Sequence, residues 1–328
     1  VKQVGYWKDS GTLFGHALAV TCNNKIAESN YGVWEMQQGR VAHALAHFYK
    51  AVKIDPEHDQ AWNNIGFLEL QRRNIPQARS AMLNALKQAP SYSLYLANYG
   101  LVMQAEGNVS KAEELYRQAL DTNPSSEVAR RYLGELLYAS NRIDDGMEQF
   151  QAVLRYWPDK AYAYKSLAFG YIKKGNNRQA VVCLEKSLRL EPADAEAYLR
   201  LGEIRSSEGD IGGALRLYQA GFVKASDYPP LLNAMAWIMA TSPSHPLRDV
   251  EKARVIAAKA ATLTRFQDPD ILDTYAAALA ANGQFGEAVT YQQQAVSLAR
   301  KAGRPVDEHI KHLELYRGNR AVTVQPYH

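Results

Sequence analysis

The sequence is short of what disulfide-built domains, membrane spans and most active sites require. It has two cysteines in 328 residues, Cys22 and Cys183, and that count says little about redox compartment. It has no run of five or more like charges, the feature that marks a nucleic-acid arm or a polybasic membrane anchor. Net charge is only +4, with 22% charged residues against 47% apolar ones, the balance of an ordinary soluble chain able to bury a continuous core. The longest largely apolar stretch, Leu231–Ala240, is interrupted by Asn233 and falls far short of the roughly 20 residues that cross a bilayer. No basic-then-apolar leader is visible, although a chain that opens at Val1 rather than Met leaves room for processing or for a longer protein.

Chemistry-bearing motifs are missing as well. There is no glycine-rich phosphate loop, no zinc-type CxxC pair and no nucleophile elbow. The carboxylates are scattered and read as solvated surface. His43 and His47 are spaced to share one helix face, but a metal needs a third and usually a fourth ligand, which His43-Ala-Leu-Ala-His47 does not supply. These two are expected on an exposed helix surface. The expectation is a chain with no cofactor, no metal and no catalytic residues.

What is present is a period. Stepping by 34 from Gly32 gives Gly66, Gly100, Gly134, Ala168 and Gly202. From Ala44 it gives Ala78, Ala112, Gly146, Ala180 and Ala214, and from Phe48 it gives Met82, Tyr116, Phe150, Leu184 and Tyr218. From Pro56 it gives Pro90, Pro124, Pro158 and Pro192. Each column has a physical reason. Small residues let two helices cross closely, and the aromatic or aliphatic residue fills the space beside them. The proline ends a second helix, where its missing N–H and its ring forbid another turn. Between the helices, Gly39, Gly107, Gly175, Gly209 and Asn141 suit a left-handed helix stop.

This spacing of small, small, aromatic and proline residues resembles the tetratricopeptide-repeat (TPR) family over most of the chain. The resemblance implies an all-α fold, a right-handed superhelical solenoid of about eight helix-turn-helix repeats, with first helices lining a concave groove. Residues 1–24 read as an N-terminal half repeat, a single helix over 6–21. Residues 25–228 read as six regular repeats, 229–268 as a degenerate repeat carrying the insertion Thr241–Asp249, and 269–302 as another repeat. Residues 303–328 read as a capping helix over 305–317 and an extended tail, with Val322, Val324 and Tyr327 as expected anchors on the molecule's own or a neighbour's groove. Because repeats touch only their neighbours, Cys22 and Cys183 read as free thiols.

Function is then expected to be non-catalytic binding of a protein or extended peptide in the groove. At the sixth position of the first helices the period gives Asn30, Asn64 and Asn98. This resembles the asparagine ladder of O-linked N-acetylglucosamine transferase, whose amides hold a peptide backbone. The alternative is that these amides are solvated or tie adjacent repeats together. Three amides with two hydrogen bonds each supply about 3–9 kcal/mol against about 4–15 kcal/mol for association. Side-chain pockets must therefore contribute, with Phe67, Tyr132, Tyr162, Phe169 and Trp237 as candidates. Arg131, Lys165, Lys173 and Arg200 add positive charge, and the partner expected there has an acidic segment. The Lys/Asn/Asn/Lys/Arg carboxylate clamp of chaperone-binding relatives is not found. No nucleic-acid partner and no membrane insertion by this chain are expected.

The opening Tyr6–Thr21 also resembles the junction at which multi-pass membrane glycosyltransferases of the protein O-mannosyltransferase kind pass from their last membrane helix into a repeat array. That resemblance implies an acceptor-recruiting domain on the periplasmic or lumenal side, with catalysis upstream. A free-standing bacterial scaffold of a secretion, pilus or envelope machine, exported or cytoplasmic, is the other reading.

Overall fold

The structure, a computed structural model, describes residues 9–323, among which there are eighteen α-helices and no strand. Contacts divide the chain into two compact units, Val1–Pro158 and Asp159–His328. Unit one contains α1 (Ser10–Val20), α2 (Lys25–Gln37), α3 (Val41–Ile54), α4 (Asp59–Gln71), α5 (Ile75–Gln88), α6 (Ser93–Ala105), α7 (Val109–Thr122), α8 (Glu127–Ala139) and α9 (Ile143–Tyr156). Unit two contains α10 (Ala161–Lys173), α11 (Asn177–Leu190), α12 (Ala195–Ser207), α13 (Ile211–Lys224), α14 (Pro229–Thr241), α15 (Val250–Leu263), α16 (Pro269–Ala281), α17 (Phe285–Lys301) and α18 (Asp307–Arg317). The first helix is thus shorter than the span 6–21 read from the sequence, where residues 1–8 lie outside the described ones.

In each unit consecutive helices pack as antiparallel pairs: α2 on α3, α4 on α5, α6 on α7 and α8 on α9 in unit one, and α10 on α11 through α16 on α17 in unit two. First helices of successive pairs also touch, α4 with α6 and α6 with α8, then α12 with α14 and α14 with α16. They form one layer with a face turned away from the second helices.

The period-34 columns meet inside each pair. A Cβ added to Gly32 would lie 2.9 Å from the Phe48 ring, and one on Gly100 or Gly134 would lie 2.4 or 2.8 Å from Tyr116 or Phe150. At Gly202 the nearest atom of Tyr218 would be 2.1 Å away. The aromatic therefore sits directly over the glycine, and Phe48, Tyr116 and Phe150 are fully buried.

Helix ends follow the same repeat. Gly39, Gly107, Gly175 and Gly209 have φ between +71° and +84°, and Asn141 has φ +59°. Arg73 occupies the same turn at φ +61° without the glycine that would have announced it. Starts are capped by side chains that accept an orphan N–H, among them Asn24, Asn108, Ser126, Asn176, Asp194 and Asp210. The insertion between α14 and α15 is tied back by Asp249 N–H donating to the Met239 carbonyl, and its Leu247 packs on the unit-two core.

Candidate functional site

The ninth residue of each first helix marks the open face. In unit one these are Val33, Phe67, Leu101 and Glu135, the first three half-buried and the last exposed. Asn30 and Asn64 sit half-buried beside them, two positions before Gly32 and Gly66, the glycines that face Phe48 and Met82, and Asn64 Oδ1 has Asn63 Nδ2 at 3.5 Å. Asn98 differs from the expected rung. It is 5% exposed, and its Nδ2 donates to Oδ1 of Asn63 on α4 at 2.8 Å. Asn98 thus ties neighbouring repeats, and Asn63, which the sequence reading passed over, is its partner. Phe67 packs at the edge of the core cluster that includes Tyr116. Tyr132 lies with its ring 6.0 Å from that of Tyr116, and burial raises its hydroxyl above the ordinary value. Arg131 pairs with Glu135 one turn on, at 2.8 Å.

In unit two, Lys165, Phe169 and Arg200 come together. With Lys173, Glu196 and Glu203 they line a cleft of about 480 Å³ between α10 and α12. Phe169 is 39% exposed, and the Lys173 ammonium stands 5.4 Å from its ring centre. Tyr162 is half-buried on the first turn of α10. The cations are not free. Lys165 Nζ lies 3.0 Å from Asp194 and 2.9 Å from Glu196. Arg200 lies 2.9 Å from Glu203 and 3.9 Å from Glu196. Burial alone would lower the Lys165 ammonium, but its bonds to Glu196 and Asp194 outweigh this and hold it above its ordinary value. Of the cations expected to form a positive patch, Arg131, Lys165 and Arg200 therefore stand in ion pairs, while Lys173 stands over the Phe169 ring. The i, i+3 spacing of Arg200 and Glu203 was the available signal.

Of the two histidines expected on an exposed surface, His43 is so placed and His47 is not. His43 is exposed, 3.8 Å from Glu35. His47 is half-buried, its Nδ1 2.6 Å from Glu28 and its ring against Tyr31. Each has its own carboxylate on α2, and among the described residues no group of three or more His, Cys, Asp or Glu side chains is arranged to hold a metal. Cys22 and Cys183 are free thiols. Among the same residues no helix is long and apolar enough to cross a membrane.

Sequence profiles described as Tetratricopeptide repeat match residues 32–93, 64–127 and 170–229, then 103–168, then 270–302. The chain belongs to the tetratricopeptide-repeat family. A curated relative, Protein CTR9 homolog of Arabidopsis thaliana, is 36% identical over 70 residues, which is 21% of this chain but 6% of that protein's length. The APC/C hetero-tetramer Cut9-Hcn1 superposes with a TM-score of 0.61 at 12% identity, over 95% of this chain and 60% of the other. PilF of Pseudomonas aeruginosa superposes with a TM-score of 0.53 at 23% identity, over 63% of this chain and 91% of the other. At such identities the two structures share the fold. A TPR solenoid is a protein-interaction scaffold, in a family that is generally non-catalytic.

Proposed function

We propose that this TPR protein holds an extended peptide on the open face of its first helices, and that in unit two the seat is the cleft between α10 and α12. The observation that carries this reading is Phe169, an aromatic ring 39% exposed in a cleft of about 480 Å³ whose rim is made of paired charges. An apolar side chain of the peptide packs on Phe169, and its flanking polar groups exchange hydrogen bonds with Arg200, Glu203 and Lys173. Because Lys165 and Arg200 already have carboxylates, the ligand that fits is of mixed or neutral charge rather than an acidic run. In unit one, half-buried Asn30 and Asn64 offer amides to a peptide backbone, with Phe67 beside them.

The test is an array of immobilised random-sequence peptides probed with the full chain, followed by solution affinities for those captured. Phe169→Ala weakens such peptides at least about tenfold, the effect of losing one anchor side chain. Unchanged affinity in that variant would remove the cleft from consideration. Asn64→Ala, measured with the same peptides, separates use of the unit-one amides from use of the cleft.

A further inference from the structure

On seven first helices the ninth residue is large and at least partly open: Val33, Phe67, Leu101, Glu135, Phe169, Glu203 and Trp237. On α16 it is Ala277, which is 1% exposed. Its neighbour one turn on, Ala280, is also buried. Something covers that face, and it is the chain's own C-terminal segment. Tyr316 of α18 is fully buried, Val322 is 8% exposed, and both pack in one cluster with Ala276, Ala277 and Ala280, with Trp237 of α14 at its edge. The His312 ring stands 5.8 Å from the Trp237 ring. Of the anchors expected in the tail, Val322 is thus docked, while Val324 and Tyr327 lie outside the described residues.

The seam that holds this segment is polar and incompletely paired. Asp273 of α16 accepts from Gln292 Nε2 at 2.5 Å and pairs with His312 Nδ1 at 2.8 Å. Gln292 Nε2 also donates to the His309 carbonyl at 2.9 Å. Gln292 Oε1 and Tyr316 Oη are buried with no hydrogen-bond partner, and His309 Nε2 has only the Asp270 carboxylate at 3.7 Å, beyond hydrogen-bond reach; release to water would satisfy all three. The helix itself has eleven residues and no side-chain cap at its start, a length that is marginal without tertiary contacts. Left-handed residues flank it, Gly303 at φ +66° before and Asn319 at φ +53° after.

We propose that α18 and residues 318–323 are a displaceable occupant of the unit-two binding face at α14 and α16, released when a ligand takes Trp237 and the alanine face of α16. This rests on the reading that open faces of first helices bind peptides, and it adds that one such face is closed in the free protein. The segment shows the chemistry the face accepts: a helical turn carrying His and Tyr, then a β-branched aliphatic residue.

The first measurement is hydrogen exchange on the wild-type full chain. Amides of α18 should exchange through local opening at least about 100-fold faster than the slowest amides of α16 and α17. If α18 exchanges only together with α16 and α17, it is permanent core and the proposal is overturned, whatever the fate of the Phe169 cleft. The second uses a fluorescein-labelled peptide of residues 307–323, added in trans to the wild type and to the full-length double variant Tyr316→Ala/Val322→Asp. It should bind the variant at least about tenfold more tightly than the wild type, whose face is filled in cis. Equal binding to both, no binding to either, or loss of the unit's helical circular dichroism in the variant overturns the proposal.

Discussion

A glycine at the eighth position of a repeat is decided by one neighbour, the aromatic or methionine sixteen residues on. At Gly202 an added Cβ would lie 2.1 Å from Tyr218, so Gly202→Ala forces a buried ring off its position and is expected to cost about 1–3 kcal/mol. Gly286 has no atom within 4 Å of such a Cβ. Gly286→Ala should leave stability unchanged or raise it by up to about 1 kcal/mol through helix propensity. Urea unfolding of the two variants separates packing from backbone freedom, and equal effects would show that the ring contact is not what selects glycine. Asn98→Ala is expected to cost about 1–3 kcal/mol, because it leaves the Asn63 carbonyl buried without its donor. His58 supplies a pH dependence. Burial, then the charge of Lys25, holds its imidazole below the ordinary value. The unfolded chain therefore binds more protons in that window, so stability is intact above the ordinary histidine value and is lost as pH falls through the depressed one. Melting temperature should fall on acidification across that range in the wild type, and by less in His58→Gln.

At the scale of the element, much of the array was legible because the repeat writes each device several times. The two columns that meet as glycine and ring, and the prolines two residues beyond α3, α5, α7, α9 and α11, are properties of the spacing alone. Turn geometry was legible where glycine or asparagine stands and invisible elsewhere. Arg73 closes α4 at φ +61°, and Arg265 and Phe266 follow α15 at φ +53° and +57°, all at side chains that give no local sign of a left-handed backbone. Here the surrounding packing overrides the intrinsic preference. Arg73→Gly should therefore stabilise unit one by about 1 kcal/mol. Gly107→Ala, at φ +81° with open space around it, should destabilise it by a similar amount. Thermal melts of both variants check the pair, and a shift of the same sign in both would refute the argument. Side-chain availability at the candidate site was the part least legible. Asn98 stands two residues before a glycine just as Asn64 does, and nothing local announces that its amide is tied to Asn63 on α4 at 2.8 Å while Asn64 has only a 3.5 Å contact from that same side chain.

Across the whole molecule the charges tell a similar story. Summed from the sequence they give +4, and the cations that fall on the open faces look like a lure for an acidic partner. In place three of the four are neutralised, Arg131 by Glu135, Lys165 by Asp194 and Glu196, and Arg200 by Glu203, and Lys173 stands over the Phe169 ring. Exposed pairs of this kind add little to stability, but they cancel the field that would steer an anion from a distance. The Debye length shrinks from about 10 Å at 0.1 M salt to about 3 Å at 1 M, so only attraction between unpaired charges responds strongly to salt. A peptide anchored on Phe169 should therefore change its affinity by less than about threefold between about 0.05 and 0.3 M sodium chloride. Association with nucleic acid through such a surface should instead fall by orders of magnitude over that range, as phosphate contacts do. Isothermal titration with a captured peptide across the salt series decides this. A tenfold or larger loss of peptide affinity would mean that the ion pairs open on binding and that the ligand carries the charge once expected of it.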